Sequence, residues 1–161
     1  MKLQDHINST DFEMSEEQVK AFLLGVLSAE KPMSVEKAIQ ELMNETPDAR
    51  ATLEAPLKAT FESLKKNLKA ELASMFSNEA DITAFMEMAR DRLDYFLTGM
   101  SLSGTNVDNC KDSGLLELIE ELEDSVEDLD DFLSDSEASA EDGEDFKDFL
   151  LGTWKDFVDA H

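Results

Sequence analysis

From residue 53 to residue 75 the large apolar side chains are Leu53, Leu57, Phe61, Leu64, Leu68, Leu72 and Met75. Steps of three and four put all of them on one side of a helix, whereas a strand would scatter them over both faces. The same spacing recurs along most of the chain, and no segment alternates convincingly enough to form a strand. Gly and Pro are scarce, six and three in 161 residues. The expected fold is therefore all-α: a compact bundle of about six helices in one domain over residues 1–161.

The helix boundaries follow from local chemistry. Residues 1–11 show no periodicity and are expected as a loose tail. Ser15 and Gln18 read as a capping box, with Met14 and Val19 placed as a hydrophobic staple. The helix they open carries Val19, Phe22, Leu23, Leu24, Val26 and Leu27, apolar almost all round, which predicts a central position. Ser34 caps a short helix ending near Met43. Thr46-Pro47 starts a third helix that runs to about Phe76, with Pro56 either kinking it or marking its beginning. Asn78 caps a fourth, whose stripe is Ile82, Phe85, Met86, Ala89, Leu93, Phe96, Leu97 and Met100. Residues 101–114 read as a loop. A fifth helix carries Leu115, Ile119, Leu122, Val126, Leu129 and Leu133. Residues 134–145 read as an acidic, Ser-rich linker before a last helix bearing Phe146, Phe149, Leu150, Thr153, Trp154 and Phe157. The expected core includes Phe22, Leu23, Phe61, Leu64, Phe85, Phe96, Leu122 and Trp154.

Phe-Leu-x-Gly occurs three times, at Phe22–Gly25, Phe96–Gly99 and Phe149–Gly152. The separations of 74 and 53 residues differ too much for a solenoid repeat. Gly in a helix interior costs about 1 kcal/mol relative to Ala. Close helix–helix approach beside the Phe is the expected compensation.

Thirty-eight acids against 14 Lys and Arg give a net charge of −24. Such a field repels nucleic acid and anionic lipid and attracts basic partners or cations. The excess is uneven: residues 1–110 hold 19 acids and 11 bases, residues 111–161 hold 19 acids and three bases. Nine acids fall between residues 117 and 131: Glu117, Glu120, Glu121, Glu123, Asp124, Glu127, Asp128, Asp130 and Asp131. On a helix they span about 21 Å, one charge per roughly 2.3 Å. Duplex DNA carries one per about 1.7 Å. They form five i,i+4 pairs, all like-charged, a repulsion of roughly 1–2.5 kcal/mol before screening. These nine are the candidate partner-binding residues; the competing reading is a solvated face partly neutralised by Lys58, Lys65 and Lys69.

Catalytic and metal-binding patterns are not found. His6 and His161 lie near the two ends, so neither a Glu-x-x-His di-iron set nor a zinc site can be assembled from the sequence pattern. Cys110 stands alone and reads as an incidental thiol. Asn106, Asp108 and Glu117 match three positions of a calcium-binding loop, but Lys111 occupies the place that needs Gly. No metal or cofactor is expected. The single Cys, the absence of a long apolar run and an N-terminal stretch unlike a signal peptide together predict a cytoplasmic protein.

Two segments carry a family resemblance. Residues 19–29, Val-Lys-Ala-Phe-Leu-Leu-Gly-Val-Leu-Ser-Ala, resemble the early signature helix of the YecA/YgfB-like family of bacterial proteins. Residues 92–102, Arg-Leu-Asp-Tyr-Phe-Leu-Thr-Gly-Met-Ser-Leu, resemble its second signature, with Arg92 where the family has Trp. Ala21 and Tyr95 stand where the family has the Gly before Phe. The resemblance implies an all-helical cytoplasmic protein and gives Phe22, Gly25, Phe96 and Gly99 as motif positions; the Cys-rich zinc-binding tail of some members is absent. It supplies no catalytic residues. The functional expectation is a non-enzymatic regulatory or adaptor protein that binds a basic protein partner. The alternatives are a DNA mimic that occupies the site of a nucleic-acid-binding protein and, third, an enzyme using carboxylates with a supplied metal.

Overall fold

A computed structural model describes residues 1–76, 79, 81–135 and 137–161. Among the described residues the secondary structure is entirely helical. Eight α-helices follow one another: α1 Leu3–Asn8, α2 Glu16–Ser28, α3 Val35–Leu42, α4 Arg50–Lys66, α5 Leu68–Ala73, α6 Ile82–Leu102, α7 Ser113–Ser134 and α8 Ala140–Asp159. A single 3-10 turn, Pro47–Ala49, leads into α4. All eight residues expected in the core are buried, Phe22 at 4% exposure being typical.

The surplus over six helices has local causes. Residues 1–11 are not a loose tail: α1 buries Leu3 and Ile7, and Phe12 follows them into the core. The expected third helix divides at Asn67, whose φ of −119° and ψ of 32° leave the helical range. The Asn67 side-chain amide donates instead to the Ser63 carbonyl at 3.1 Å. Pro56 neither starts α4 nor stops it. Thr52, whose carbonyl loses its partner to the proline, lies exposed to solvent. The connection between α7 and α8 is shorter than the expected 134–145, because Ser139 accepts the Asp142 amide hydrogen bond and starts α8 at Ala140.

Other starts follow the sequence. Ser15 accepts from the Gln18 amide at 3.2 Å and the Gln18 side chain accepts from the Ser15 amide at 3.0 Å, completing the capping box. Ser34 caps α3. Asn78, expected to cap the fourth helix, lies outside the described residues; Asp81 accepts from the Ala84 amide at the start of α6.

The bundle is organised round α2 and α6, the pair with the most extensive contact. They run parallel. Near the start of α2 and midway along α6, the Gln18 side chain donates to both Asp91 carboxylate oxygens, at 3.2 and 3.1 Å. Near their ends the Glu30 amide donates to Thr105 Oγ1 at 2.9 Å. These contacts are offset by 73 and 75 residues, bracketing the 74-residue separation of the first two Phe-Leu-x-Gly copies. The copies therefore lie side by side in register. A Cβ at Gly25 would overlap the Phe96 carbonyl oxygen, and one at Gly99 would overlap the Phe22 carbonyl oxygen. Each glycine thus admits the other helix's backbone at the matching Phe. The close-packing reading holds for these two copies.

It fails for the third. Gly152 is exposed and a Cβ there would meet nothing within 4 Å among the described residues. Phe149, expected on the apolar stripe of the last helix, is 57% exposed. The stripe that α8 buries is centred on Leu150, Trp154 and Phe157, and Phe149 sits off its edge. Trp154 anchors this helix. Its indole N–H donates to the buried Leu72 carbonyl at 2.8 Å, and its ring meets Phe96 edge-on and Phe157 face-on, with centroids 5.0 and 5.1 Å apart. Each such aromatic pair contributes about 0.5–1.5 kcal/mol beyond area burial.

Candidate functional site

The acidic segment lies on α7, which packs on α6 and α8 along one side only. Asp112 caps it, accepting from the Leu115 amide at 2.9 Å. The preceding loop is tied down by Glu30, whose two carboxylate oxygens accept from the Lys111 and Asp112 amides at 2.9 and 3.2 Å. Those backbone bonds, the one from Lys111 foremost, hold the Glu30 carboxyl below the usual carboxylate range. The start of α7 is thereby fixed to the end of α2. Along the helix Ile119, Leu122, Ser125 and Leu129 are buried, and the Ser125 hydroxyl returns a hydrogen bond to the Glu121 carbonyl.

With that stripe inward, the acids turn out. Glu117, Glu120, Asp124, Glu127, Asp128, Asp130 and Asp131 are exposed, and Glu121 and Glu123 are half-buried. At 100° per residue, seven of them (Glu117, Glu120, Glu121, Asp124, Glu127, Asp128 and Asp131) occupy an arc of about 120°. Glu123 and Asp130 sit on one edge of that arc, and their surroundings split them. Asp130 receives the Arg90 guanidinium at 2.7 Å, which holds its carboxyl below the usual range. Burial pushes the Glu123 carboxyl up, assisted by the charges of Asp108, Asp124, Glu120 and Glu127.

Lys58, Lys65 and Lys69 do not neutralise this face. Lys58 pairs with Glu54 at 3.6 Å, within α4. Lys69 edges a groove of about 640 Å³ between α5 and α8, together with Ala73, Leu151, Trp154 and Lys155. Both α4 and α5 pack on α2, and α5 also on α8, whereas α7 packs on α6 and α8. Among the described residues, the ion pair that reaches the nine acids is Arg90–Asp130. The sequence pattern could not separate these lysines from α7, because helical spacing says which side of a helix a residue occupies and not which helix lies opposite.

A second concavity, of about 620 Å³, opens between the start of α2 and the end of α3. Asp11, Glu13, Glu41 and Glu45 edge it, above Phe12, Phe22 and Tyr95. Its carboxylates come from two segments about 30 residues apart, 11–13 and 41–45, so no local spacing announces it. Among the described residues, no three His, Cys, Asp or Glu side chains form a group that could hold a metal ion. Burial raises the Cys110 thiol above its usual value, with the neighbouring Glu30 charge adding to it, which suppresses the nucleophilic thiolate. His161 turns its two ring nitrogens to the Phe157 and Ser28 carbonyls, at 2.9 and 3.3 Å.

Among the described residues the fold is all-helical, and α7 turns most of its carboxylates to solvent, with Arg90–Asp130 the ion pair that reaches them. No helix among the described residues is long and apolar enough to cross a membrane. Compared with protein-family models, curated proteins and solved structures, the chain matches none.

Proposed function

We propose that this chain is a non-enzymatic regulatory or adaptor protein that captures a basic protein partner on the outward face of α7. The observation that carries the reading is the alignment of seven carboxylates on one solvent-facing arc, with Arg90–Asp130 the one ion pair at its edge among the described residues. A helix that tolerates like-charged i,i+4 pairs gives up stability locally, and recognition of opposite charge is a use that compensates. The carboxylates run along the helix instead of converging round a concavity, which suits a surface for binding better than a catalytic pocket. The two segments resembling YecA/YgfB-like signatures support the same class. The lone Cys110 thiol agrees with a reducing, cytoplasmic setting. A DNA mimic is the second reading, supported by a charge spacing close to that of duplex DNA.

The test is one variant, Glu120→Gln/Asp124→Asn/Asp128→Asn. It removes two like-charged pairs, Glu120–Asp124 and Asp124–Asp128, and should raise stability by roughly 0.4–1 kcal/mol. Capture of a basic partner from host extract should slow, with the loss shrinking at high salt. Unchanged capture at both low and high salt would eliminate α7 as the surface. Duplex DNA competing for the captured protein, with competition fading in the variant, would select the mimic.

A further inference from the structure

Leu150 of the third Phe-Leu-x-Gly segment is buried in the core, but its Phe149 and Gly152 serve neither the core nor the carboxylate face of α7. On α8, Asp145, Asp148, Phe149, Gly152 and Asp156 follow one another at helical spacing and are all exposed. Phe149 shows 57% of its surface, and the space over Gly152 is open among the described residues. We propose that this side of α8 is a separate docking surface for a basic amphipathic helix, which crosses α8 at Gly152 as α6 crosses α2 at Gly25.

Two observations select that occupant. The first is the α2–α6 crossing itself, where Phe-Leu-x-Gly lets a second helix approach to backbone contact: the glycine leaves room for the facing helix's backbone at its own Phe, while the Phe side chains are buried elsewhere in the core, Phe96 against Trp154 and Phe157. The α8 segment has the same residues at the same spacing and spends neither on its own fold. The second is charge. Asp145 and Asp148 precede the contact point and Asp156 follows it. Lys147 is turned away, donating to the Glu79 carbonyl at 2.9 Å and lying over the Phe85 ring, and Lys155 is the one base of α8 exposed at the edge of this surface, outnumbered there by the three aspartates. A second copy of this chain would bring its own three aspartates against these three, which disfavours self-pairing. A helix with Lys or Arg on both sides of an apolar stripe sets opposite charges against them. The surface is on a different helix from the α7 carboxylates and does not depend on them.

The probe is a synthetic Lys-flanked helical peptide carrying one Phe-Leu-x-Gly stripe, titrated against the full chain and followed by fluorescence anisotropy. Saturable binding is expected, weakened roughly tenfold or more by Gly152→Leu, by Phe149→Ser, and by a peptide with Leu in place of its own Gly. Gly152→Leu should leave the thermal midpoint no lower, which separates lost docking from lost folding. Asp148→Asn/Asp156→Asn should flatten the salt dependence. No saturable binding, or equal binding by the Gly152→Leu protein, overturns the proposal. So does a wild-type dimer that Gly152→Leu turns into a monomer, because the occupant is then a second copy. Peptide binding should survive the α7 variant Glu120→Gln/Asp124→Asn/Asp128→Asn; binding lost there but kept by Gly152→Leu would place the contact on α7 and refute this surface.

Discussion

Gly25 and Gly152 stand in the same four-residue pattern, each three residues after a Phe, each inside a helix, and the fold uses them in opposite ways. At Gly25 the missing side chain is filled by the backbone of α6, and at Gly152 it is left open. The difference comes from the neighbours. Phe22 is surrounded by Val19, Leu23, Leu24, Val26 and Leu27, all buried, so α2 is enclosed and its glycine must face another helix. Phe149 follows Lys147 and Asp148, and the stripe through Leu150, Trp154 and Phe157 takes α8's buried side instead. A local motif therefore defines what a helix can accept, and the distribution of apolar residues around it decides whether the fold or a partner supplies the contact.

The interior half of that contrast should break most visibly. Gly25→Ala and Gly99→Ala each place a Cβ onto a carbonyl oxygen of the facing helix. A backbone atom cannot turn aside as a side chain can, so α2 and α6 must separate. Each substitution should cost about 3 kcal/mol, at the upper end of overpacking. The thermal midpoint should fall by roughly 6–12 °C, read by far-UV circular dichroism. The double variant should lose less than the two added together, since one separation relieves both overlaps. A single alanine variant that melts with the wild type would remove the reciprocal crossing.

How much of this was legible in the sequence depends on what each residue needed. Burial along α2, α4 and α6 could be read from spacing, because the apolar side of a helix is a property of that helix alone. The Gly25–Gly99 contact was half legible. Spacing identified both glycines as close-approach positions, but the 74-residue separation argued only against a solenoid, when it is the register of a parallel pair. The exposure of Phe149 was not legible, since five apolar residues and Thr153 shared one helical stripe of which only Leu150, Thr153, Trp154 and Phe157 are buried. The acidic face of α7 was visible as composition. That Lys58, Lys65 and Lys69 do not neutralise it was not, because they belong to α4 and α5, which pack on α2 while α7 packs on α6 and α8. Residues 1–11 gave too short a pattern to show α1, which owes its place to the burial of Leu3 and Ile7.

The outward half of the contrast predicts the opposite sign. Gly152→Ala meets no neighbour within 4 Å among the described residues and lies in a helix interior. It should stabilise by up to about 1 kcal/mol through helix propensity and a less flexible unfolded chain. Urea denaturation at equilibrium measures the gain. A loss of stability would mean that Gly152 already serves the fold, and the comparison with Gly25 would collapse.

The smallest effects sharpen the contrast between enclosed and open positions within α7 itself. Glu123 and Asp130 flank the same carboxylate arc, with their carboxyls shifted in opposite directions. For Asp130 the folded value is depressed by Arg90, so its contribution is present above the unfolded value and is lost as pH falls through the folded one. Asp130→Asn should therefore lower the thermal midpoint slightly at neutral pH and leave it unchanged in acid. For Glu123 the folded value is raised, chiefly by burial, so folding is favoured by its protonated form. That contribution is present below the unfolded value and is lost as pH rises through the raised one. Glu123→Gln mimics the protonated form and should raise the midpoint at neutral pH, with the gain closing as the pH approaches about 4. Melts of both variants between about pH 3 and pH 8 should show differences from wild type that diverge in opposite directions as pH rises. If Glu123→Gln lowers the midpoint at neutral pH, that carboxylate has a favourable partner, and the face of α7 is better neutralised than the Arg90–Asp130 pair alone provides.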